Sequence, residues 1–410
     1  MACRRRKAGV QKLSTNSSIP ILDLKEQYKQ VGPALEAKVI EILRSGNYIL
    51  GKYGAELEQE VAGLCGVRYG VAVANGTDAL NLALWALDIG PGDEVITPTF
   101  TFAATAEAIG LRGATPVFVD VDPVSFNIRP DLIEKAITKA TKAILPVHLY
   151  GQSADMEAIC EIAARHNLKI VEDNAQAIGA ARNGQATGSR GDMACISFYP
   201  TKNLGAAGDA GMVVTDNPQL RDRLKSLRAH GSVVRYYHDE LGVNSRLDEI
   251  QAAVLLAKLP CLQRWNSQRS TVARWYEESL RNTPGLVLPT VSPGNVHVWH
   301  QYTVKVTSGG SVAADEQLRN ELAKELAARG IGSMCYYPVP LHRQKAFSAN
   351  SVSSGQFPVA DRLAAQVLSL PMYPELAYGQ VMSVAKEIKS ILSDKLALGT
   401  FVSGNVRTGV

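Results

Sequence analysis

The sequence predicts an α/β fold, in which a mainly parallel seven-stranded sheet lies between helices and is followed by a smaller C-terminal α+β domain. Two observations support this prediction. From Tyr69 to about residue 216, short apolar segments alternate with amphipathic ones at the spacing of strand–helix–strand units. After "TPGLVLP" (residues 283–289) this alternation gives way to one strand, one helix and shorter elements, which indicates a second domain.

Seven segments of the first part have the pattern of strands: residues 69–75, 93–98, 115–122, 143–151, 168–175, 193–200 and 211–216. Helical segments are expected at residues 77–87, 102–113 and 155–167, and a long helical stretch at 245–280. The second part contains a predicted strand at 300–306 and a predicted helix at 315–330. In open parallel sheets ligands bind beyond the carboxyl ends of the strands, so functional residues are expected in the loops there.

We divide the chain into a basic flexible tail (1–17), a large domain (18–260), a small domain (261–400) and a second tail (401–410). The formal net charge is +4, and the four basic residues from Arg4 to Lys7 account for all of it. The body of the protein is therefore neutral. We interpret the basic start as a solvated tail rather than an anion-binding or targeting segment, and we predict no nucleic-acid binding.

The 410 residues contain 46% hydrophobic residues, enough for large cores. No apolar run approaches the roughly 20 residues that span a bilayer, and the first residues lack an apolar signal core. We therefore expect a cytoplasmic protein without a membrane partner. The six cysteines are scattered, with no spacing typical of a metal site, so we expect reduced thiols and no metal.

Three features at predicted strand ends could carry chemistry. Gly76 and Thr77, at a strand-to-helix junction, could bind a phosphate, or Thr77 could simply cap the helix. Asp173 ends an apolar strand, where its carboxylate needs a cationic partner unless it caps the next turn. Lys202, in "SFYPTKNLGAAGDAG", is either a solvated surface charge or a nucleophile in a cleft, and the small residues after it leave room for a bulky ligand.

Together, the three features fit one ligand. A phosphate would bind at Gly76 and Thr77, a ring nitrogen would pair with Asp173, and an aldehyde would react with Lys202. Pyridoxal 5′-phosphate has all three groups, and its sites combine an imine-forming lysine with an acidic partner of the ring nitrogen. The sequence therefore predicts a pyridoxal-phosphate site.

The chain also resembles the sugar aminotransferases of the DegT/DnrJ/StrS type, which have the aspartate-aminotransferase-like fold. The resemblance runs from about "IPILDLKEQY" to "LSLPMYPEL". The matching stretches are "NGTDAL", "TFAATAEAI", "PVHLYGQSADM", "VEDNAQAIGA", "SFYPTKNLGAAGDAG", "GVNSRLDEIQAAVL" and "YYPVPLH". Thr201 and Val243 depart from the family's usual Gly and Tyr, which affects the expected substrate contacts rather than the chemistry.

This resemblance implies roles for individual residues. Lys202 would carry the cofactor as an imine, and Asp173 would pair with its ring nitrogen. The remaining implied cofactor contacts are Gln176 near the ring hydroxyl, Phe102 against the ring, and Gly76, Thr77, Asp78 and Ser197 at the phosphate, with Asn244 reaching the phosphate of a neighbouring subunit in a homodimer. Candidate substrate contacts are Tyr199, Tyr336 and His342, with Arg235 and His238 from the partner.

The implied reaction is transfer of the amino group of L-glutamate to a keto carbon of a dTDP- or UDP-sugar. "PVHLYGQSADM", which contains His148, is more similar to relatives acting on 3-keto sugars, so C3 of a 3-keto-6-deoxyhexose is the expected acceptor. Alternatives are a 4-keto sugar, a cyclitol ketone, or a non-catalytic cofactor-binding sensor with the same fold.

Overall fold

The computed structural model describes residues 18–234, 236–348, 352–353 and 356–397. The predicted tails, residues 1–17 and 401–410, lie outside the described residues, and so does Arg235.

The strands, in chain order, are β1 (Tyr69–Val73), β2 (Glu94–Pro98), β3 (Thr115–Val119), β4 (Thr141–Ile144), β5 (Lys169–Asp173), β6 (Ala181–Arg182), β7 (Gln185–Ala186), β8 (Met193–Ser197), β9 (Gly211–Thr215), β10 (Leu286–Val287), β11 (Asn295–Val296), β12 (Tyr302–Val306), β13 (Val352–Ser353) and β14 (Val367–Leu370). The α-helices are α1 (Leu24–Ser45), α2 (Lys52–Leu64), α3 (Gly76–Ala86), α4 (Ala103–Leu111), α5 (Pro130–Ala136), α6 (Met156–His166), α7 (Pro218–Leu227), α8 (Glu249–Lys258), α9 (Leu262–Leu280), α10 (Val312–Ala328), α11 (Lys345–Ser348), α12 (Pro358–Gln366) and α13 (Tyr378–Ala397).

The large sheet has the strand order β1-β9-β8-β5-β4-β2-β3-β13. Its first seven members are the seven predicted strands, and the two-residue β13 extends one edge. All neighbours pair in parallel except β9, which is antiparallel to both β1 and β8. The predicted α/β fold with a mainly parallel sheet is therefore confirmed.

Both faces of this sheet are buried, as the short apolar strands indicate. Along β1, Val71 and Val73 enter one hydrophobic core with α3, whereas Ala72 enters another with α2 and α8. Because side chains alternate along a strand, neighbouring residues lie on opposite faces, and each face needs its own helical cover. The loops at the strand ends are consequently the part of the sheet open to a ligand.

Two predicted elements are wrong in extent. The strand predicted at residues 143–151 ends at Ile144; Pro146 follows, and Leu149–Gly151 form a 3₁₀ turn in which Tyr150 has a φ of 58°. The helix predicted at 245–280 consists of α8 and α9, separated by a 3₁₀ turn at Leu259–Cys261. A proline lacks the N–H that would continue the helical ladder, and Pro260 lies at this break.

A separate core lies in the C-terminal part, where β10, β12 and β14 form an antiparallel sheet against helices. This core contains residues of α9, α10 and α13, and it also takes up Ile19 from the start of the described chain. The domain boundary near residue 260 stays a prediction. Among the described residues, no helix is both long and apolar enough to cross a membrane.

Candidate active site

Four loops meet at one edge of the large sheet. The strands β1, β2, β5 and β8 all point the same way, since β1 and β8 are both antiparallel to β9 and the others pair in parallel. Gly76–Asp78 follow β1 and Phe102 follows β2, whereas Asp173 is the last residue of β5 and Ser197–Lys202 begin at the last residue of β8. The fold therefore brings the predicted cofactor residues of the sheet to a single cleft.

The residues of the predicted phosphate cradle, Gly76, Thr77, Asp78 and Ser197, lie at or beside the first turn of α3. Asn75 caps the helix by accepting the N–H of Asp78 at 2.8 Å, and the N–H groups of Gly76 and Thr77 have no acceptor within the helix. A Cβ on Gly76 would lie 2.7 Å from the Cβ of Ser197, so only glycine allows Ser197 to approach the helix so closely. Free N–H groups, two hydroxyls and the positive helix end suit a phosphate.

Lys202 and Asp173 are close enough to affect each other's ionisation. Burial lowers the pKa of the Lys202 amine from 10.5 to about 8, and the attraction of Asp173 offsets only part of that effect. Burial likewise raises the pKa of Asp173, which is 5% exposed, while Lys202 is among the groups that lower it. The cleft thus holds an amine that is easily deprotonated beside a carboxylate in need of a cation.

The Asp173 carboxylate is fixed by two protein hydrogen bonds. Thr105 Oγ1 donates to Oδ2 at 2.9 Å, and the backbone N–H of Ala175 donates to Oδ1 at 3.1 Å. Thr101 Oγ1 lies 3.1 Å from the Thr105 hydroxyl and extends the chain of contacts. Thr105 was not among the residues predicted from the sequence, although it follows Phe102 by one helical turn and its N–H bonds to the Phe102 carbonyl at 3.2 Å.

His148 lies behind the cleft and not in it. It is fully buried, and its Nε2 lies 2.7 Å from the Glu172 carboxylate, while Nδ1 accepts the N–H of Ala154 at 3.1 Å. Hydrogen bonds to the Glu172 carboxylate come from His148 and from the backbone N–H groups of Gly188, Arg190 and Gly191. Burial alone would raise the pKa of Glu172, but these bonds outweigh burial, and the net effect is a lowered pKa. His148 therefore supports the strand that ends at Asp173.

Gln176 and Phe102 are joined through Tyr337, which was not among the residues predicted from the sequence. Gln176 Nε2 donates to the Tyr337 hydroxyl at 3.1 Å, and its Oε1 accepts the N–H of Tyr150 at 2.7 Å. The rings of Tyr337 and Phe102 lie 6.0 Å apart, and Phe102 remains 56% exposed. Phe102 thus presents an open ring face at the cleft. The stretch "YYPVPLH" could have indicated Tyr337.

The predicted substrate contacts have different surroundings. Tyr199 is exposed, and Tyr336 is partly buried with its carbonyl accepting the hydroxyl of Tyr150. His342 Nδ1 lies 2.8 Å from Thr99 Oγ1, and its Nε2 lies 3.2 Å from Asp361. His342 is thus held by protein partners.

The residues assigned to a partner subunit lie at the surface. His238 is exposed, with Nδ1 2.8 Å from the His230 carbonyl, and Asn244, farther along the chain, is also exposed. Arg235 is outside the described residues. The roles of all these side chains stay predictions.

In the part of the chain described here, no group of three or more His, Cys, Asp or Glu side chains is placed to hold a metal ion. The five described cysteines are free thiols. Burial raises the pKa of Cys195, which lies on β8, well above its ordinary value. Burial also raises the pKa of Cys65, Cys160 and Cys335, so these four thiols are not activated nucleophiles.

Comparison with known proteins identifies what the chain is similar to. Residues 30–389 match the DegT/DnrJ/EryC1/StrS aminotransferase family. The chain is 49% identical over 380 residues to a UDP-N-acetyl-3-dehydro-alpha-D-glucosamine 3-aminotransferase of Acidithiobacillus ferrooxidans, covering 93% of this chain and 100% of the relative. It is 48% identical to a "pleiotropic regulatory protein" of Geobacillus stearothermophilus, covering 90% and 98%.

Among solved structures, the chain is similar to that of Streptomyces venezuelae DesV in complex with a ketimine intermediate. The TM-score is 0.87 at 44% sequence identity, with 92% of this chain and 98% of that chain covered.

Proposed function

The chain belongs to the DegT/DnrJ/EryC1/StrS aminotransferase family, and we propose that it uses pyridoxal 5′-phosphate to move the amino group of L-glutamate to C3 of a nucleotide-activated 3-keto sugar. The observation that carries this proposal is that Lys202, whose pKa is about 8, lies near the buried Asp173 at one sheet edge. Transamination with pyridoxal 5′-phosphate requires an amine that can be neutral, to form the imine, and a carboxylate beside the ring nitrogen.

The residues present fit the cofactor. The cradle at Gly76, which a Cβ would fill, suits its phosphate, and the exposed face of Phe102 suits its ring. Bound there, pyridoxal 5′-phosphate supplies a carbonyl that takes up an amino group and a protonated ring that accepts electrons from the reacting carbon. Gln176 would hold the ring hydroxyl.

Two side chains would handle the protons. Asp173, fixed by Thr105 and Ala175, would keep the ring nitrogen protonated, because a nearby cation favours the ionised carboxylate. Lys202 Nζ, whose pKa of about 8 leaves a substantial fraction of the amine neutral near that pH, would act as the nucleophile that holds the cofactor and then as the base that moves the proton at the reacting carbon.

The complete site would be shared between two copies of the chain. The segment that precedes Asn244 exposes a run of apolar side chains: Val233, Val234, Tyr236, Tyr237 and Leu241. A second copy would cover these side chains and receive Asn244 at its phosphate and His238 near its sugar. This exposed apolar run supports the homodimer.

The assignment of C3 is supported by the relative that acts on a UDP-linked 3-dehydro sugar at 49% identity. A dTDP-linked 3-keto-6-deoxyhexose, a 4-keto sugar and a cyclitol ketone are the other acceptors to test. The similarity to a protein named as a regulator favours one second candidate, a cofactor-binding sensor without turnover. For both candidate functions we propose that the protein is located in the cytoplasm.

The test begins with the visible spectrum of the purified protein after addition of the cofactor. L-Glutamate alone should bleach the yellow band in the wild type and in Lys389→Ala, whose site is exposed on α13. Lys202→Ala should show neither band nor bleaching. Addition of each keto sugar should then restore the band, and the 3-keto sugar should do so fastest.

Other outcomes would redirect the proposal. A band that persists with glutamate, glutamine and other amino donors would refute the transaminase and favour the sensor. If a 4-keto sugar restored the yellow band faster than a 3-keto sugar, only the assignment of the acceptor to C3 would be refuted.

A further inference from the structure

A buried group of amides lies directly behind Lys202. Asn203, the next residue, donates from Nδ2 to Asn266 Oδ1 and to the Val298 carbonyl, both at 2.9 Å. His300 Nδ1 lies 3.2 Å from Asn203 Oδ1. Asn203, Asn266 and His300 are each at most 8% exposed. None of these three side chains is assigned to the cofactor or to either substrate.

The pattern of donors fixes the state of the histidine ring. Asn203 Nδ2 has two N–H groups and uses both, so Oδ1 of the same amide is the acceptor for His300. His300 must therefore carry its proton on Nδ1. Burial, followed by the positive charges of Lys202 and Arg269, lowers the pKa of His300 well below its ordinary value, so the ring is neutral.

The same group of side chains holds two parts of the active site together. The Lys202 turn is tight, because the Lys202 N–H bonds to the Tyr199 carbonyl at 2.8 Å and a Cβ on Gly205 would lie 2.3 Å from the Pro200 carbonyl oxygen. Asn266 Nδ2 donates to the Ile178 carbonyl, in the segment that follows Asp173, at 3.2 Å. A chain of hydrogen bonds thus runs from His300 to both sides of the cleft.

We propose that His300 is a positioning residue that acts through Asn203. Its Nδ1–H fixes the Asn203 amide, and that amide holds the turn on which Lys202 is carried, so that the amine stays in the desolvated cleft beside Asp173. This inference rests on the proposed function, because it concerns the lysine to which that function assigns the chemistry. The positioning role requires a hydrogen-bond donor at the place of His300 Nδ1, but it does not require an imidazole ring.

Two substitutions separate these requirements. In His300→Asn the amide nitrogen can take the place of Nδ1 and donate to Asn203, whereas in His300→Gln it lies farther out, near the place of Nε2. Both variants remove the imidazole. Gln366→Ala is the matched control, since Gln366 is a buried amide that donates to Asp315 at 2.7 Å in the C-terminal core.

The first readout needs no bound cofactor. The rate at which an amine-reactive reagent labels Lys202 in the cofactor-free protein, followed by mass spectrometry over pH, gives the midpoint of amine deprotonation. We expect this midpoint near pH 8 in the wild type, His300→Asn and Gln366→Ala. In His300→Gln the loosened turn exposes the amine to water, so the midpoint should move toward 10.5 and the labelling rate at pH 8 should fall about tenfold.

The second readout is the glutamate half-reaction of the loaded enzyme. In His300→Gln, kcat should fall about 10- to 100-fold with KM changed much less, because misplacement of the amine affects the proton transfer more than substrate binding. His300→Asn should restore most of kcat. Asn266→Ser removes the other side chain that holds the Asn203 amide, so it should shift the labelling midpoint as His300→Gln does. If His300→Gln does not fold, Asn266→Ser serves as the test variant in its place.

The contrast between the amide variants decides the question. Equal losses in His300→Asn and His300→Gln would overturn the proposal, because they would show that the imidazole itself is needed. Wild-type behaviour of both would overturn it as well. If glutamate fails to react in the wild type, the proposed function fails, whereas the labelling contrast still tests the role of His300.

Discussion

Replacement of Lys202 by methionine should stabilise the cofactor-free protein at neutral pH. Burial lowers the pKa of Lys202 from 10.5 to about 8, so the folded state holds its ammonium at a cost. The difference between these values corresponds to about 3.4 kcal/mol at most. Because the side chain keeps part of its solvent contact, we expect about 2 kcal/mol. Methionine has a similar apolar length and no charge.

The sign of the pH dependence follows from proton binding. Below pH 8 both the folded and the unfolded state bind the proton, so the whole cost is present in the wild type. Between pH 8 and 10.5 the folded state releases its proton first, and the wild type gains stability relative to Lys202→Met by up to about 1.4 kcal/mol per pH unit. The advantage of Lys202→Met should therefore decrease through this window and vanish near its upper end.

Urea unfolding of the cofactor-free proteins at several pH values between 7 and 10.5 measures this difference, with the protomer concentration held constant. Lys389→Met, an exposed change on α13, is the control and should differ from the wild type by less than about 0.5 kcal/mol throughout. An advantage of Lys202→Met that does not change with pH, or a loss of stability at pH 7, would refute the reasoning.

Three further predictions concern the cradle, Asp173 and the start of α2. Gly76→Ala should lower the free energy of unfolding by about 1–3 kcal/mol, because the new methyl group would meet the side chain of Ser197. The control Gly63→Ala, whose methyl group would meet nothing within 4 Å, should raise that free energy by about 0.5–1 kcal/mol in the same urea assay. Thr105→Val removes a 2.9 Å bond to Asp173 and should weaken cofactor binding about tenfold, measured by fluorescence titration. Glu249→Gln should cost about 1–3 kcal/mol in thermal unfolding, because the buried carboxylate accepts three backbone N–H groups at the start of α2.

Each of these predictions can fail separately. Equal stabilities of Gly76→Ala and the wild type would mean that the serine yields without cost. Unchanged cofactor affinity in Thr105→Val would show that the remaining backbone donor suffices for Asp173. A Glu249→Gln protein as stable as the wild type would show that one amide oxygen can replace the carboxylate at α2.

The sequence predicts the sheet well because most of its strands bury both faces. Val71, Ala72 and Val73 illustrate this, since an apolar run with no polar alternation has only one common explanation in an α/β protein. The position of Asp173 is predictable for the same reason, as the carboxylate ends such a run. The extent of the 143–151 strand is not, because Pro146 and the left-handed backbone of Tyr150 interrupt a continuous apolar pattern.

Contacts made by residues far apart in sequence escape such reasoning. Thr105 reaches Asp173 from 68 residues earlier in the sequence, and His300 reaches Asn203 from the other side of a domain boundary proposed near residue 260. Neither pair has a spacing or a motif of its own. Local pattern therefore predicts which residue types stand at the sheet edge, but the supporting bonds depend on how distant segments pack.

The ionisation of the central pair distinguishes a catalytic arrangement from a structural ion pair. If Lys202 served mainly as the counter-ion of Asp173, their attraction would raise the pKa of the amine above 10.5; instead burial dominates and lowers it to about 8. The same burial raises the pKa of Asp173, so one desolvated cleft moves both groups toward their neutral forms. Neutrality makes the amine a nucleophile, whereas the carboxylate needs a different cation to stay ionised. In the proposed function a protonated pyridine nitrogen would be that cation, so the two residues would act on the two ends of one ligand rather than on each other.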